Sequence, residues 1–312
     1  MTTPPGRILM TGASGFVGRH LTALLSVAHP DATLIMPDFD IRDAAAVAAL
    51  VQEASPDVCI HLAAISTVAA AALNEDEAWQ INLHGTLHLA RAILRHAPDC
   101  FLLFVSSSDA YGSSFRAATK VTEDTALAPM NVYGATKAAA DLALGSMATQ
   151  GLRVVRLRAF NHTGPGQSAE FAVPAFARQI ARIAAERQPP LLRVGNLDTW
   201  RDFLDVRDVC RGYIACIDRR DTLPPGTILN LASGQARRIG DVLRDLQAMA
   251  ELEIEVQVDR SRVRESDLRM ACGDASRARD MLGWTPAIPW DVTLQDVLDD
   301  WRARVIGETG VT

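Results

Sequence analysis

Tyr133 and Lys137 stand four residues apart in Tyr133-Gly-Ala-Thr-Lys137, the spacing that stacks two side chains on one face of a helix. A free phenol titrates near ~10 and a free lysine near ~10.4. An ammonium beside the phenol favours the phenolate, which yields a general acid/base able to work near neutral pH. Helices produce this pair by chance, so its meaning rests on what else the chain brings to it. Upstream, the apolar run 101–105 empties into Ser106-Ser107-Ser108-Asp109-Ala110-Tyr111. Open parallel sheets bind ligands just outside the carboxyl ends of their strands, so hydroxyls delivered there are well placed.

A second constellation lies at the start of the chain. The run 7–11 (RILMT) reads as a strand, followed by Gly12-Ala-Ser14-Gly15-Phe16-Val17-Gly18 and a helical pattern through Leu21, Leu24 and Leu25. Strand, glycine turn, helix is the context of a dinucleotide-binding fingerprint, here spaced G-x-x-G-x-x-G. Gly12 allows the tight turn, Gly15 the approach of a pyrophosphate to unpaired helix amides, and Gly18 close helix–strand packing. The expected cofactor contacts are Gly12, Ser14, Gly15, Phe16, Val17, Asp40, Ile41, Leu62, Ala63, Ala64, Tyr133 and Lys137. Asp40-Ile41 has two readings, an adenine contact or a solvated turn before a helix capped by Asp43. After the strand at 32–36 there is neither a clear acidic residue for a ribose 2′-hydroxyl nor an arginine pair for a 2′-phosphate. The choice between NAD and NADP therefore stays open.

These residues must be positioned by alternating strands and helices. Strands are predicted at 58–64, 101–105 and 153–158, with helices at 44–54, at about 75–96 and around Tyr133. The pattern predicts an α/β fold, a Rossmann-type doubly wound parallel sheet. After Arg158 the texture changes to a Gly/Pro loop, Asn161-His-Thr-Gly-Pro-Gly-Gln167, then a helix at 171–186 and short strands. We expect residues 1–160 plus 205–232 to form the nucleotide-binding domain. Residues 161–204 plus 233–312 would form a smaller α/β domain over the sheet's carboxyl edge.

Composition narrows the function classes. With 312 residues, 48% hydrophobic and 22% charged, the chain is of ordinary soluble type. A net charge of −6 argues against a nucleic-acid binder. No apolar run reaches membrane-spanning length, and the short polar stretch 1–7 does not read as a signal peptide. The five cysteines are scattered with no Cys-x-x-Cys pair, as in reduced cytoplasmic proteins. His84 and His88 share a helix face but lack a third ligand, so no metal site is expected.

Together the glycine turn, Ser107, Tyr133/Lys137, Asn161, Arg201 in Trp-Arg-Asp-Phe, and Arg264 ahead of Ala271-Cys-Gly-Asp274 resemble the extended short-chain dehydrogenase/reductase superfamily. The resemblance covers essentially the whole chain and falls in the branch that modifies nucleotide sugars. Within it, Arg158-Ala-Phe-Asn161-His-Thr-Gly-Pro-Gly-Gln167 resembles GDP-4-keto-6-deoxy-mannose reductases. The stretch Val194-Gly-Asn-Leu-Asp-Thr-Trp-Arg201-Asp-Phe is shared with GDP-mannose 4,6-dehydratases. The chain departs from the pattern in a shorter loop after the second strand and in Arg264-Glu265 where an Arg-Pro is usual. The resemblance implies an NAD(P)(H)-dependent enzyme that reduces the C4 keto group of a GDP-4-keto-6-deoxy-hexose. A 4,6-dehydratase or a 4-epimerase are the alternatives. It makes Ser107, Tyr133 and Lys137 catalytic, and Asn161, Arg201 and Arg264 substrate-binding. Asp109 occupies the position of the dehydratases' proton-abstracting Glu, and the catalytic and loop-acceptor readings both stay open. The resemblance also implies a cytoplasmic homodimer joined through a four-helix bundle.

Overall fold

Apolar runs without alternation make strands covered on both faces. The computed structural model describes residues 4–117, 119–259 and 268–308. It begins with β1 (Arg7–Thr11), α1 (Phe16–Ala28), β2 (Thr33–Ile35), α2 (Ala44–Ala54), β3 (Val58–His61), α3 (Val68–Leu73), α4 (Glu75–Trp79), α5 (Thr86–His96), β4 (Phe101–Ser107), α6 (Val132–Ala148) and β5 (Val154–Ala159). It continues with β6 (Asn161–Thr163), α7 (Ala172–Ala184), β7 (Leu191–Val194), β8 (Trp200–Asp205), α8 (Val206–Asp218), β9 (Thr227–Leu231), β10 (Ala236–Arg238), α9 (Ile239–Ala250), β11 (Glu255–Val258), β12 (Met270–Ala271), α10 (Ser276–Leu282) and α11 (Trp290–Gly307).

The main sheet has the order β2-β1-β3-β4-β5-β9, with every neighbouring pair parallel. Alternate residues of one strand feed opposite layers. Ile8 and Met10 pack with Leu21 and Leu25 of α1 and Tyr213 of α8. Leu9 packs instead with Val51 of α2, Leu89 and Ile93 of α5, and Leu144 of α6. This is the doubly wound arrangement. Strand order reverses between β1 and β3, the place where such sheets open a ligand crevice.

The later elements build a second core in which Phe176, Ile180, Leu243, Leu246, Val297 and Leu298 join α7, α9 and α11. A small sheet, β10-β8-β12, stands beside it, with β6 pairing to β8. Ala278, Leu282 and Trp284 pack instead into the core of the main sheet.

Two elements differ from expectation. β3 ends at His61 rather than continuing to 64, and the Ala63 amide turns to the Thr11 hydroxyl. The helix expected over 75–96 passes through a π-helical turn, Gln80–Gly85, between α4 and α5. That turn aims Asn82 inward, where its side chain bonds both backbone groups of Ile65 at 2.9 and 3.1 Å.

Candidate active site

The Tyr133 helix starts where the Asn131 side chain accepts from the Gly134 amide at 2.7 Å. A Cβ on Gly134 would lie 2.6 Å from the Asp109 carbonyl oxygen, so glycine lets α6 press against the 3₁₀ turn at 108–110. Ser107 caps that turn by accepting from the Asp109 amide at 3.1 Å, and its hydroxyl is near enough to the Tyr133 phenol to favour the phenolate. Lys137, 5% exposed, donates to the Val105 carbonyl at 2.8 Å and sits 5.3 Å from the Phe104 ring centre. The structure thus brings Ser107, Asp109, Tyr133 and Lys137 together at the carboxyl end of β4.

Beneath them, buried Asp141 accepts from Arg158 at 3.0 and 3.1 Å and from Arg156 at 3.0 Å. This pins α6 to β5. The sequence signal was a lone acid in an alanine-rich helix followed by an arginine-bearing strand.

The electrostatics run opposite to what the Tyr–Lys spacing alone predicts. Burial pushes the Tyr133 phenol up, the Asp109 carboxylate adds to the rise, and the Ser107 hydroxyl works against it. Lys137 is not what sets this proton; burial lowers its own titration to about 8. The phenol accordingly holds its proton at neutral pH, the form a proton donor requires.

The turn after β1 suits a diphosphate. Gly12 has φ +70°, and a Cβ there would lie 2.6 Å from the Ala63 nitrogen and 2.8 Å from the Leu62 carbonyl carbon. The glycine therefore brings the turn against residues 62–63. Gly15 caps α1 without a side chain, and the first turn of α1 holds no acid, so its amides face outward as an anion site. Ser14 and Gly15 are exposed, and Phe16, Val17, Leu62, Ala63 and Ala64 are half-buried around them.

Asp40 is gripped by Arg42 at 2.7 Å, which holds its carboxyl at about 2. The Ile41 side chain belongs to the core, where a Cβ on Gly85 would lie 2.7 Å from it, and His88 holds its carbonyl at 3.3 Å. What Ile41 offers to a ligand is its backbone. Asp43 caps α2 through the amides of Ala45 and Ala46 at 2.9 and 3.0 Å.

The substrate residues expected from the sequence lie on β6 and β8. Asn161 is exposed and pairs opposite Phe203, two residues along from Arg201. Arg201 donates to the carbonyls of Trp200 and Leu268 at 2.9 and 2.8 Å. Arg264 lies outside the described residues. His162 bonds the Phe160 carbonyl at 2.9 Å and stacks 6.2 Å from Phe16, so it closes the loop against α1. Asp202, which the sequence did not single out, is fully buried and accepts from the Ser233 amide, the Ser233 hydroxyl and the Gly234 amide at 2.6–2.9 Å. It fixes the loop after β9 to the strand that carries Arg201.

The family model described as GDP-mannose 4,6 dehydratase matches residues 27–297. GDP-6-deoxy-D-mannose reductase of Pseudomonas aeruginosa is 38% identical over 302 residues, covering 96% of this chain and 98% of that protein. GDP-6-deoxy-D-talose 4-dehydrogenase of Aggregatibacter actinomycetemcomitans is 26% identical over 282 residues, covering 89% and 91%. Among solved structures, RMD from Pseudomonas aeruginosa complexed with NADPH matches with a TM-score of 0.87 at 35% identity. That match covers 96% of this chain and 99% of that one.

Proposed function

The chain belongs to the GDP-mannose 4,6 dehydratase family of extended short-chain dehydrogenases/reductases, and from that premise we propose that it reduces the C4 keto group of a GDP-4-keto-6-deoxy-hexose with NAD(P)H. The product is GDP-D-rhamnose or its C4 epimer, GDP-6-deoxy-talose. The observation that carries this reading is the meeting of Ser107, Tyr133 and Lys137 at the carboxyl end of β4. It stands in a chain 38% identical to a reductase.

The bound reduced nicotinamide supplies a hydride to C4. Ser107 and Tyr133 hydrogen-bond the ketone oxygen, and Tyr133 gives it a proton as charge develops there. Such assistance contributes about 10²- to 10⁴-fold in rate. Lys137 holds the nicotinamide ribose and places a positive charge beside the phenol as it loses its proton. The turn of Gly12, Ser14, Gly15, Phe16 and Val17 holds the pyrophosphate. Asp40 and the Ile41 backbone meet the adenine, and Leu62, Ala63 and Ala64 line the cleft. Arg201, Arg264 and Asn161 take the substrate diphosphate, for which a planar guanidinium is well shaped.

This reading assigns residues 1–160 plus 205–232 to the cofactor domain and 161–204 plus 233–312 to the sugar-nucleotide domain, although Ala278, Leu282 and Trp284 of the second range pack into the core of the main sheet. A homodimer through a four-helix bundle of the 75–96 region and α6 is supported by Leu142, 61% exposed on α6. Five buried free thiols fit a reducing cytoplasm. No helix among the described residues is long and apolar enough to cross a membrane.

Asp109 beside Tyr133 favours a second reading, the 4,6-dehydratase, although an Asp reaches one methylene less far than the usual Glu. Purified protein given the 4-keto sugar nucleotide and either NADH or NADPH separates the two. Oxidation of the cofactor is expected. Failure with both cofactors, with 4-keto product formed from GDP-mannose, would establish the dehydratase instead.

A further inference from the structure

Buried polar side chains run unbroken from the glycine turn to the Tyr133 helix. Thr11, the last residue of β1, accepts from the Ala63 amide at 3.2 Å and bonds His61 Nδ1 at 2.8 Å. His61 Nε2 meets Thr86 Oγ1 at 2.9 Å, and the Thr86 hydroxyl donates to the Asn82 carbonyl at 2.7 Å. Asn82 Nδ2 donates to Thr136 Oγ1 at 3.0 Å, and Thr136 donates to the Tyr133 carbonyl at 2.8 Å. None of the five side chains is more than 2% exposed.

His61 is the joint of this chain. Thr86 commits its proton to Asn82, so it accepts from Nε2–H, and Nδ1 is left to accept from Thr11. One neutral tautomer therefore satisfies both threonines. Burial and the charge of Lys137 reinforce that state by lowering the ring's titration to about 3. Packing alone would not select this residue, because an apolar side chain would continue Val58-Cys-Ile equally well. Without the ring, the buried Thr11 hydroxyl would lose the acceptor for its proton, a loss that costs more than the bond contributes when made.

We infer that His61 is a positioning residue that couples the dinucleotide-binding turn to the catalytic helix, so that a ligand on the turn orders residues 131–137. The inference rests on the dinucleotide reading of the turn but not on the choice of sugar. It also requires reciprocity, since coupling between two places in one molecule acts both ways.

Hydrogen–deuterium exchange with and without saturating ADP, which lacks the nicotinamide ribose, tests it. In the unaltered protein ADP should slow exchange at 12–18 and at 131–137. In His61→Phe, which keeps the ring shape and loses both bonds, protection should persist at 12–18 and vanish at 131–137. The reductase kcat should fall by about 10²-fold, as expected for a small misplacement of a reacting group, while NADPH affinity stays within a few-fold. If His61→Phe does not fold, Thr86→Val breaks the same link at nearly constant shape and should give the same split. Equal protection of 131–137 in a folded variant, or no response there in the unaltered protein, overturns the inference. Unaltered protein that is inactive on the keto sugar would sink the reductase reading while leaving the exchange comparison to stand.

Discussion

The carboxyl edge of the main sheet and the small β10-β8-β12 sheet are built on opposite plans. At the former, polar groups are buried and each passes its hydrogen bond to the next, from Thr11 through His61, Thr86, Asn82 and Thr136 to the Tyr133 carbonyl, with Asp141 clamped between two arginines below. At the latter, cations crowd half-buried strands. Arg201 and Arg237 stand directly opposite one another across an antiparallel pair, an arrangement of like charges that weakens a sheet. Arg238 pairs with exposed Asp198. Reacting groups gain from being held in one geometry, whereas the small sheet gathers half-buried cations, and burial lowers the titration of Arg237. Asp202 is the exception on that side, a buried anchor that keeps Arg201's strand in place.

The largest expected effect breaks the first plan at its reacting atom. Tyr133→Phe should lower kcat by about 10²- to 10⁴-fold while fluorescence titration shows that the reduced nicotinamide cofactor used by the unaltered protein still binds. Next come two ion pairs of opposite kind. Asp141→Ala leaves Arg158, 3% exposed, without its carboxylate, and should cost about 3–5 kcal/mol in urea unfolding, the usual penalty for an uncompensated buried charge. Asp198→Ala should leave the same midpoint nearly unmoved, because its pair with Arg238 is exposed. Equal losses from both would erase the contrast.

Lys137 gives a pH-dependent test. Its titration falls from the usual 10.5 to about 8 through burial. Below about 8 the folded state must carry a buried ammonium. Between about 8 and 10.5 the unfolded chain holds a proton that the folded protein has released, so stability rises with pH across that window. Lys137→Met should therefore raise the melting temperature at pH ~7 by several degrees, and the gain should shrink by pH ~10, at the expense of activity. A constant gain at every pH would contradict the assignment. The smallest effect is electrostatic. Asp109→Asn removes a charge that raises the Tyr133 phenol, so the alkaline fall in kcat should move to lower pH. A limb that stays in place would mean that the carboxylate does not act on the donor.

Much of this was legible in the chain. The glycine turn and the run 7–11 fixed β1 to the residue, because an unbroken apolar strand stops where glycine begins. The alanine-rich run 44–54 did the same for α2, Ala44–Ala54. Ser107, Tyr133 and Lys137 converge as their loop and helix positions suggested. The direction of the Tyr133 titration was not legible, because it depends on depth and on the approach of Asp109, and Gly134 controls that approach through space. Nor was the role of His61. It becomes visible only when the β1–β3 register places it beside Thr11, a pairing between residues far apart in the chain. The place of the Ile41 side chain was likewise not legible, because it is core by packing on Gly85, far along the chain, which leaves its backbone to face a ligand.

The proton donor and the hydride acceptor can be tested together with NADH and NADPH, each deuterated at the transferred position, and GDP-4-keto-6-deoxy-mannose. Deuterium should arrive at C4 of the sugar, one for each cofactor oxidised, and the transfer should collapse in Tyr133→Phe. Unlabelled sugar with no net oxidation, alongside turnover of GDP-mannose to the keto form, would contradict the reductase.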